Sequence, residues 1–369
     1  MRDALVEELL AKIMKWTPED VARERPDLQA LAAYKYDEYQ QFSPGMRFLE
    51  SLARWLDQFE TDEERQVAYN FLRKKVIYIS TSEISNLVLT SYPDLIRPFL
   101  IKRIAVQKKM PEWQVTRIAE SKEFKVLLRQ SMFLGLSDGS RIDLFRRGNP
   151  AISHEQILRT HEINETRAAD MLLTLDRDLK EILGQDPSES EKRFHNVFLL
   201  DDFSGSGISY LRKAEKPNFK GKLANFYYDN CCENSKNVTK LIDPTDVHIC
   251  LILYIATNQA YDHLRKLGSE LFGKISFDVR VVNLLPNSIR LNDQNDAAFI
   301  SLLSKYYDKR IETESYLRGR HEKPYLGFDE CALPLILSHN TPNNSVTLLW
   351  FEENRRYRGL FPRIGRFTT

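Results

Sequence analysis

Val197-Phe198-Leu199-Leu200-Asp201-Asp202-Phe203-Ser204-Gly205-Ser206-Gly207-Ile208-Ser209 holds the residues of this chain best suited to chemistry. Its four leading apolar residues predict a buried strand. Asp201 and Asp202 then fall at the C-terminal end of that strand, where α/β sheets bind ligands. Ser204, Gly205, Ser206, Gly207 and Ser209 follow as a loop, and Tyr210-Leu211-Arg212 reads as the start of a helix. Glycines let backbone N–H groups come close to a phosphate, serine hydroxyls add donors, and a helix adds its positive N-terminus. Carboxylates just ahead of such a loop repel the phosphate itself. They serve groups beside it, ribose hydroxyls or a bound Mg²⁺, for which Asp201 and Asp202 are the candidate ligands. The order of parts predicts a sugar-phosphate site. The plainer alternative is a buried strand ending in an Asp-rich turn.

Two further segments carry polar residues at element ends. Gly135-Leu136-Ser137-Asp138-Gly139-Ser140-Arg141-Ile142-Asp143-Leu144-Phe145-Arg146-Arg147 has the glycines and Asp138 of a hairpin or strand–loop–strand. Arg141, Asp143 and Arg146 then pair at the surface. Alternatively, Arg146 and Arg147 end a strand near the same sheet edge and supply the cations that a diphosphate demands. His154, behind a cap at Ser153, is either a solvated histidine or, by its place after the Arg pair, a catalyst. Ser338-His339-Asn340-Thr341-Pro342-Asn343-Asn344-Ser345 lies between two apolar runs, Ala332–Leu337 and Val346–Trp350, both read as strands. Its amides either satisfy a turn or, with the His339 imidazole, face a ribose or a base. Asp138, Arg141, Asp143, His154, His339, Asn340, Asn343 and Asn344 are thus candidate substrate contacts.

The elements that must position these groups fall into two parts. Up to about residue 120, apolar residues recur at helical spacing, as in Phe48, Leu49, Leu52, Trp55 and Leu56. Thr17-Pro18-Glu19-Asp20, Thr61-Asp62-Glu63-Glu64 and Ser80-Thr81-Ser82-Glu83 are helix starts. Ser82–Val88 has the spacing of the second helix of a helix-turn-helix, and Lys102, Arg103, Lys108 and Lys109 follow it. A winged-helix-like nucleic-acid contact and ordinary core packing both fit that pattern. Beyond residue 120 a helix is expected from Ser153 to about Leu183. The apolar runs Val197–Leu200, Val247–Tyr254 and Val279–Leu285 then alternate with helices, which predicts a mostly parallel sheet in an α/β domain. The expected organisation is an α-helical docking and regulatory domain over 1–120 and an α/β chemical domain over 121–369.

Composition sets outer bounds. The formal net charge is +1 over 369 residues, which excludes a whole-protein field that steers the chain onto nucleic acid. Cys231, Cys232, Cys250 and Cys331 have no C-x-x-C spacing, and reduced thiols are expected. The N-terminus is amphipathic with acidic residues, and Ile249–Ala256 is too short to span a bilayer. A cytoplasmic protein without membrane contact is the expectation.

The Val197–Ser209 stretch resembles the signature of the type I phosphoribosyltransferases. In that family four hydrophobic residues precede two acidic ones, an aliphatic pair and a Thr/Gly-rich loop. The resemblance implies that Asp201 and Asp202 hold the ribose 2- and 3-hydroxyls. It likewise implies that Gly205, Ser206, Gly207 and Ser209 cradle the 5-phosphate. Ser204, Gly205 and Ile208 depart from the usual aliphatic, threonine and glycine.

Gly135–Arg147, Asp201–Arg212, His339–Ser345 and Leu360-Phe361-Pro362-Arg363 together resemble phosphoribosyltransferase-like proteins of bacterial anti-phage conflict systems. Some of these are encoded beside retron reverse transcriptases. The resemblance implies a toxin-like effector that uses phosphoribosyl diphosphate or a ribose-phosphate nucleotide with Mg²⁺, reacting at the anomeric carbon. It also implies a reverse transcriptase–msDNA nucleoprotein as partner. The hood of the base-salvage enzymes is not recognisable. The alternatives are a non-catalytic nucleotide sensor and a partner- or nucleic-acid-binding regulator.

Overall fold

Continuous apolar runs become strands covered on both faces, as the sequence leads one to expect. The computed structural model describes residues 3–160, 163–216, 218–232, 241–242, 245–352 and 356–363. Two compact units emerge, one of residues 84–285 and one built from residues 1–83 together with 286–369.

The 84–285 unit is organised by a five-stranded sheet of β1 (Ser131–Gly135), β2 (Ile157–Leu158), β3 (Asn196–Ser204), β4 (His248–Thr257) and β5 (Ser276–Leu285). Every pairing is parallel, in the order β2-β1-β3-β4-β5. Side chains alternate across it. Met132, Leu134, Val197, Leu199, Ile249 and Leu251 join one core with the helices Glu165–Leu183 and Asn258–Phe272. On the other face Phe133 and Phe198 stack at 5.3 Å, and Phe99 of the helix Arg97–Lys108 meets Phe198 edge-on. Burial on both faces is why β1, β3 and β4 carry near-continuous apolar runs. A parallel sheet also puts all its C-terminal ends at one edge, so Gly135, Ser204 and Thr257 open neighbouring loops.

In the other unit, the helices Phe48–Asp57 and Asp62–Lys74 share a core with Ala297–Lys305 and Thr347–Trp350. Phe71 stacks on Phe299 at 3.7 Å, and the Trp55 indole N–H donates to Leu348 O at 2.9 Å. A short parallel pair joins Ile77–Ile79 to Leu335–Leu337. Thr17 and Thr61 cap their helices with reciprocal bonds to Asp20 and Glu64.

Several elements differ from expectation. The compact units divide at 83/84 and 285/286, not at 120/121, because the early helices pack with the last eighty residues of the chain. The helices Arg97–Lys108 and Lys122–Arg129 belong to the sheet-containing unit, so a cut at residue 120 removes parts of both units. Val346–Trp350 is a short helix rather than a strand. The helix expected from Ser153 starts at Glu165, behind a 3-10 turn and β2. Thr81–Ser91 is helical but runs through a π turn into Arg97–Lys108, and a strand stands between it and Asp62–Lys74. A helix-turn-helix has only a turn at that place.

Tyr39 knots the chain ends together. Its hydroxyl lies 2.9 Å from Thr341 Oγ1, 3.1 Å from Phe361 O and 2.9 Å from Pro362 O, and it accepts from Thr341 N–H at 3.1 Å. Tyr39→Phe strands these buried groups and should cost about 2 kcal/mol. Urea-unfolding midpoints check this, with Tyr34→Phe, at a 90% exposed position, as the unchanged control.

Candidate functional site

Asp201 and Asp202 are the sixth and seventh of the nine residues of β3, and their environments divide them. Asp201 is fully buried. Its Oδ1 accepts from Ser137 Oγ at 2.5 Å and from Asp202 N–H at 3.1 Å. Its Oδ2 accepts from the Tyr210 hydroxyl at 2.8 Å and pairs with Lys222 Nζ at 2.5 Å. The Lys222 ammonium also sits 4.7 Å above the Tyr210 ring. Burial, then the neighbouring Asp202 charge, raise the Asp201 carboxyl above its usual range, and Lys222 opposes the rise. Burial followed by Asp201 itself pushes the Tyr210 phenol well up. Asp202 is half-buried, with Oδ1 accepting from Phe203 N–H at 2.8 Å.

The loop after β1 closes over this pair. A Cβ built on Gly139 would overlap the Asp202 carboxylate, so with any other residue at 139 the carboxylate would have to shift. Tyr254 of β4 holds the loop from below by donating to Ser140 O at 2.6 Å. Arg141 follows with left-handed backbone, φ 46° and ψ 40°, a conformation costing a side-chain-bearing residue about 1 kcal/mol. Its guanidinium is half-exposed and makes no ion pair among the described residues.

The loop after β3 is tied to the next strand and helix. Thr257 Oγ1 donates to Gly205 O at 2.5 Å and accepts from Ala260 N–H at 3.1 Å, capping Asn258–Phe272. His263 Nε2 lies 2.7 Å from Leu211 O. Gly207 has φ +83°, and a Cβ there would come within 2.7 Å of the His263 ring. That missing Cβ faces protein, so Gly207→Val strains the turn and crowds His263 rather than filling phosphate space. Ser204 Oγ is buried with no hydrogen-bond partner among the described residues, and Ser209 is exposed. Ile208–Tyr210 is a turn, followed by the hairpin Arg212–Lys213 with Phe219–Lys220 and then the helix Lys222–Asn230. The helix expected to begin at Tyr210 is absent, and with it the helix N-terminus that would have faced the loop.

The remaining candidates scatter. Asp138 is exposed in the loop beside Asp202. Arg146 and Arg147 end no strand; they occupy the last turn of the helix Ile142–Gly148, away from its start at Arg141. Asp143 pairs with Arg159 at 2.8 Å and with Arg146 at 3.5 Å, which is the surface-pairing alternative. His154 is exposed in a 3-10 turn. His339, Asn340, Asn343 and Asn344 belong to the other compact unit. There Asn344 Nδ2 donates to Phe328 O at 3.2 Å, Asn343 O accepts from Phe328 N–H, and His339 O accepts from Gln41. Those bonds build a turn.

A Mg²⁺ fits the two carboxylates unequally. Both Asp201 oxygens are taken, one by an ammonium, so Asp201 does not fit as a metal ligand. Asp202, half-buried at the loop mouth, is the carboxylate that would hold the ion. Ser137, Tyr210, Lys222, Tyr254, Thr257 and His263 shape the site without any sequence signal, except that Ser137 and Tyr210 lie inside the motif segments. In comparisons with known proteins, the family model described as PRTase-CE matches residues 52–363. No curated protein and no solved structure matches.

Lys222→Met leaves a buried carboxylate without its cation and should destabilise the fold by about 3 kcal/mol at pH 8. Asp201 holds its proton to higher pH folded than unfolded, where its ordinary value is 3.8. Its ionisation therefore draws on stability as pH rises through that window, and Lys222 limits the loss. The destabilisation should be smaller at pH 5 than at pH 8. Denaturant titrations at both pH values test this, and equal losses would remove Lys222 from the role.

Proposed function

This chain belongs to the PRTase-CE family, and on that premise we propose that it acts on a ribose 5-phosphate ligand at the C-terminal edge of its sheet. Its function is phosphoribosyltransferase-like in the coarse sense that the family carries. The finer reading is a reaction at the anomeric carbon of phosphoribosyl diphosphate or of a nucleotide. The observation that carries it is the closure of residues 136–141 over Asp202, close enough that a Cβ on Gly139 would meet its carboxylate. That closure brings a half-buried carboxylate, a Ser/Gly loop and the backbone of Arg141 to the ends of neighbouring strands.

In this reading the acidic pair splits its work. Asp201 is a positioning residue, fixing β3 and the Tyr210 turn. Asp202 orients the ribose hydroxyls and would hold Mg²⁺, which when bound supplies positive charge beside the diphosphate. Backbone N–H groups of 205–209 and the orphan Ser204 hydroxyl take the 5-phosphate. Arg141, rather than Arg146 or Arg147, neutralises the departing group. As the bond from C1 to diphosphate or base breaks, the leaving group keeps the electron pair and positive charge spreads over C1 and the ring oxygen. The carboxylate of Asp202 favours that charge. An acceptor, or water, then donates an electron pair to form the bond at C1 and gives up its proton to the departed group or to solvent. The biological setting we propose is an anti-phage effector held by a reverse transcriptase–msDNA partner.

Calorimetry with phosphoribosyl diphosphate and Mg²⁺, with products followed by mass spectrometry, tests the assignment. Arg141→Ala should weaken binding by tenfold or more, as expected for about 1.5–3 kcal/mol in a charge-assisted contact. Asp202→Asn should abolish turnover, and Arg146→Ala should change neither. A wild-type chain that binds neither phosphoribosyl diphosphate nor a nucleoside 5-monophosphate would exclude this function. Binding without turnover would make the site a sensor.

A further inference from the structure

At the opposite edge of the sheet, the starts of β4 and β5 bring together His248, Cys250 and Asp278. Two residues apart on one strand, His248 and Cys250 share a face. Asp278 is the direct register partner of Cys250. One nitrogen of His248, the Cys250 sulfur and one Asp278 oxygen all lie within 4.8 Å of one another. We propose that these three side chains bind a single transition-metal dication of the zinc class.

The donor set selects the ion. Imidazole, thiolate and carboxylate together suit Zn²⁺ or Co²⁺, whereas Mg²⁺ and Ca²⁺ take oxygen alone. His248 is already oriented, since its Nδ1 lies 2.7 Å from Ser276 Oγ and Phe99 stacks on the ring at 4.6 Å. A Nδ1–H donated to Ser276 leaves the lone pair on Nε2, the usual arrangement behind a metal-bound imidazole. That Nε2 is buried and has no hydrogen-bond partner among the described residues. Cys250 is fully buried. Asp278 Oδ1 accepts from Val279 N–H at 2.8 Å and Oδ2 from Arg280 Nε at 3.0 Å, so each oxygen keeps a lone pair.

Charge can be balanced at the site. On binding, the Cys250 S–H bond breaks, its proton goes to solvent and a sulfur–metal bond forms. Thiolate and carboxylate then match the dication. Arg280, which neutralises Asp278 in the ion's absence, also contacts Leu95 O at 3.4 Å and the Phe99 ring at 4.9 Å. The second nearby cation, Arg103, is hydrogen-bonded to Asn196 Oδ1. Tetrahedral coordination asks the donors to close by roughly 1 Å and leaves a fourth corner to water. The cluster's β4 residues lie about 23–30 Å along the strand from Thr257, by strand rise, and so are separate from the phosphate loop.

Untagged full-length chain, titrated with Co²⁺ and assayed for zinc after dialysis against Zn²⁺, tests the site. The expected result is one ion per chain and a thiolate-to-Co²⁺ charge-transfer band. Cys250→Ser should remove the band and weaken Co²⁺ binding at least about a hundredfold. Cys232→Ser should change neither. Should Cys250→Ser fail to fold, His248→Gln and Asp278→Asn decide, each losing stoichiometric binding. A wild type that takes up no ion, or affinity unchanged in His248→Gln, overturns the proposal.

Discussion

A carboxylate sealed inside a sheet must be answered by donors, and Asp201 draws its donors from three separate segments. Ser137 comes from the loop after β1, Tyr210 from the turn after β3, and Lys222 from the start of the following helix. A buried ionised carboxylate without partners costs several kcal/mol, so these segments have little freedom to move apart. The loop that holds Asp138, Gly139 and Arg141 is therefore anchored through the same atom group that anchors the Ser/Gly loop. Tyr254 beneath Ser140 and Thr257 beside Gly205 repeat the device from β4. Loops fixed in this way approach a ligand with their conformational entropy already lost.

This arrangement separates a buried, fully bonded carboxylate from a half-buried one within a single pair of adjacent residues. Successive strand residues face opposite sides, so Asp201 and Asp202 cannot share a role by geometry alone. Asp201 turns into the protein and Asp202 toward the loop mouth, where its carboxylate lies close against Gly139.

Much of the sheet was legible, because strands covered on both faces must be apolar throughout, as Val197–Leu200 and Ile249–Ala256 are. The acidic pair and its loop were legible for the same reason, since carboxylates that end such a run contribute nothing to its packing. Local competition hid the rest. Ile142 and Phe145, three apart, are both buried and make a helix of what the Asp-Gly signal presented as a hairpin. Tyr210 and Leu211 favour a helix by type, yet both their N–H groups bond to Gly207 O, and the chain turns into a hairpin. Lys222 gave no signal because its partner lies twenty-one residues back. The shared core of the two chain ends was invisible for a similar reason: periodicity reports which face is buried, never against what.

The pairing of Ile77–Ile79 with Leu335–Leu337 has a consequence for how the protein is made. In the growing chain, the first strand leaves the ribosome long before its partner exists, and all of residues 84–285 must be synthesised between them. The helices Phe48–Asp57 and Asp62–Lys74 share that wait with their apolar faces uncovered, whereas the sheet-bearing segment is complete in one continuous stretch. The sheet-bearing segment can thus fold during translation, and the other unit only after it. Chain order therefore leaves the apolar faces of residues 1–83 without their packing partners until residues 286–369 have been made.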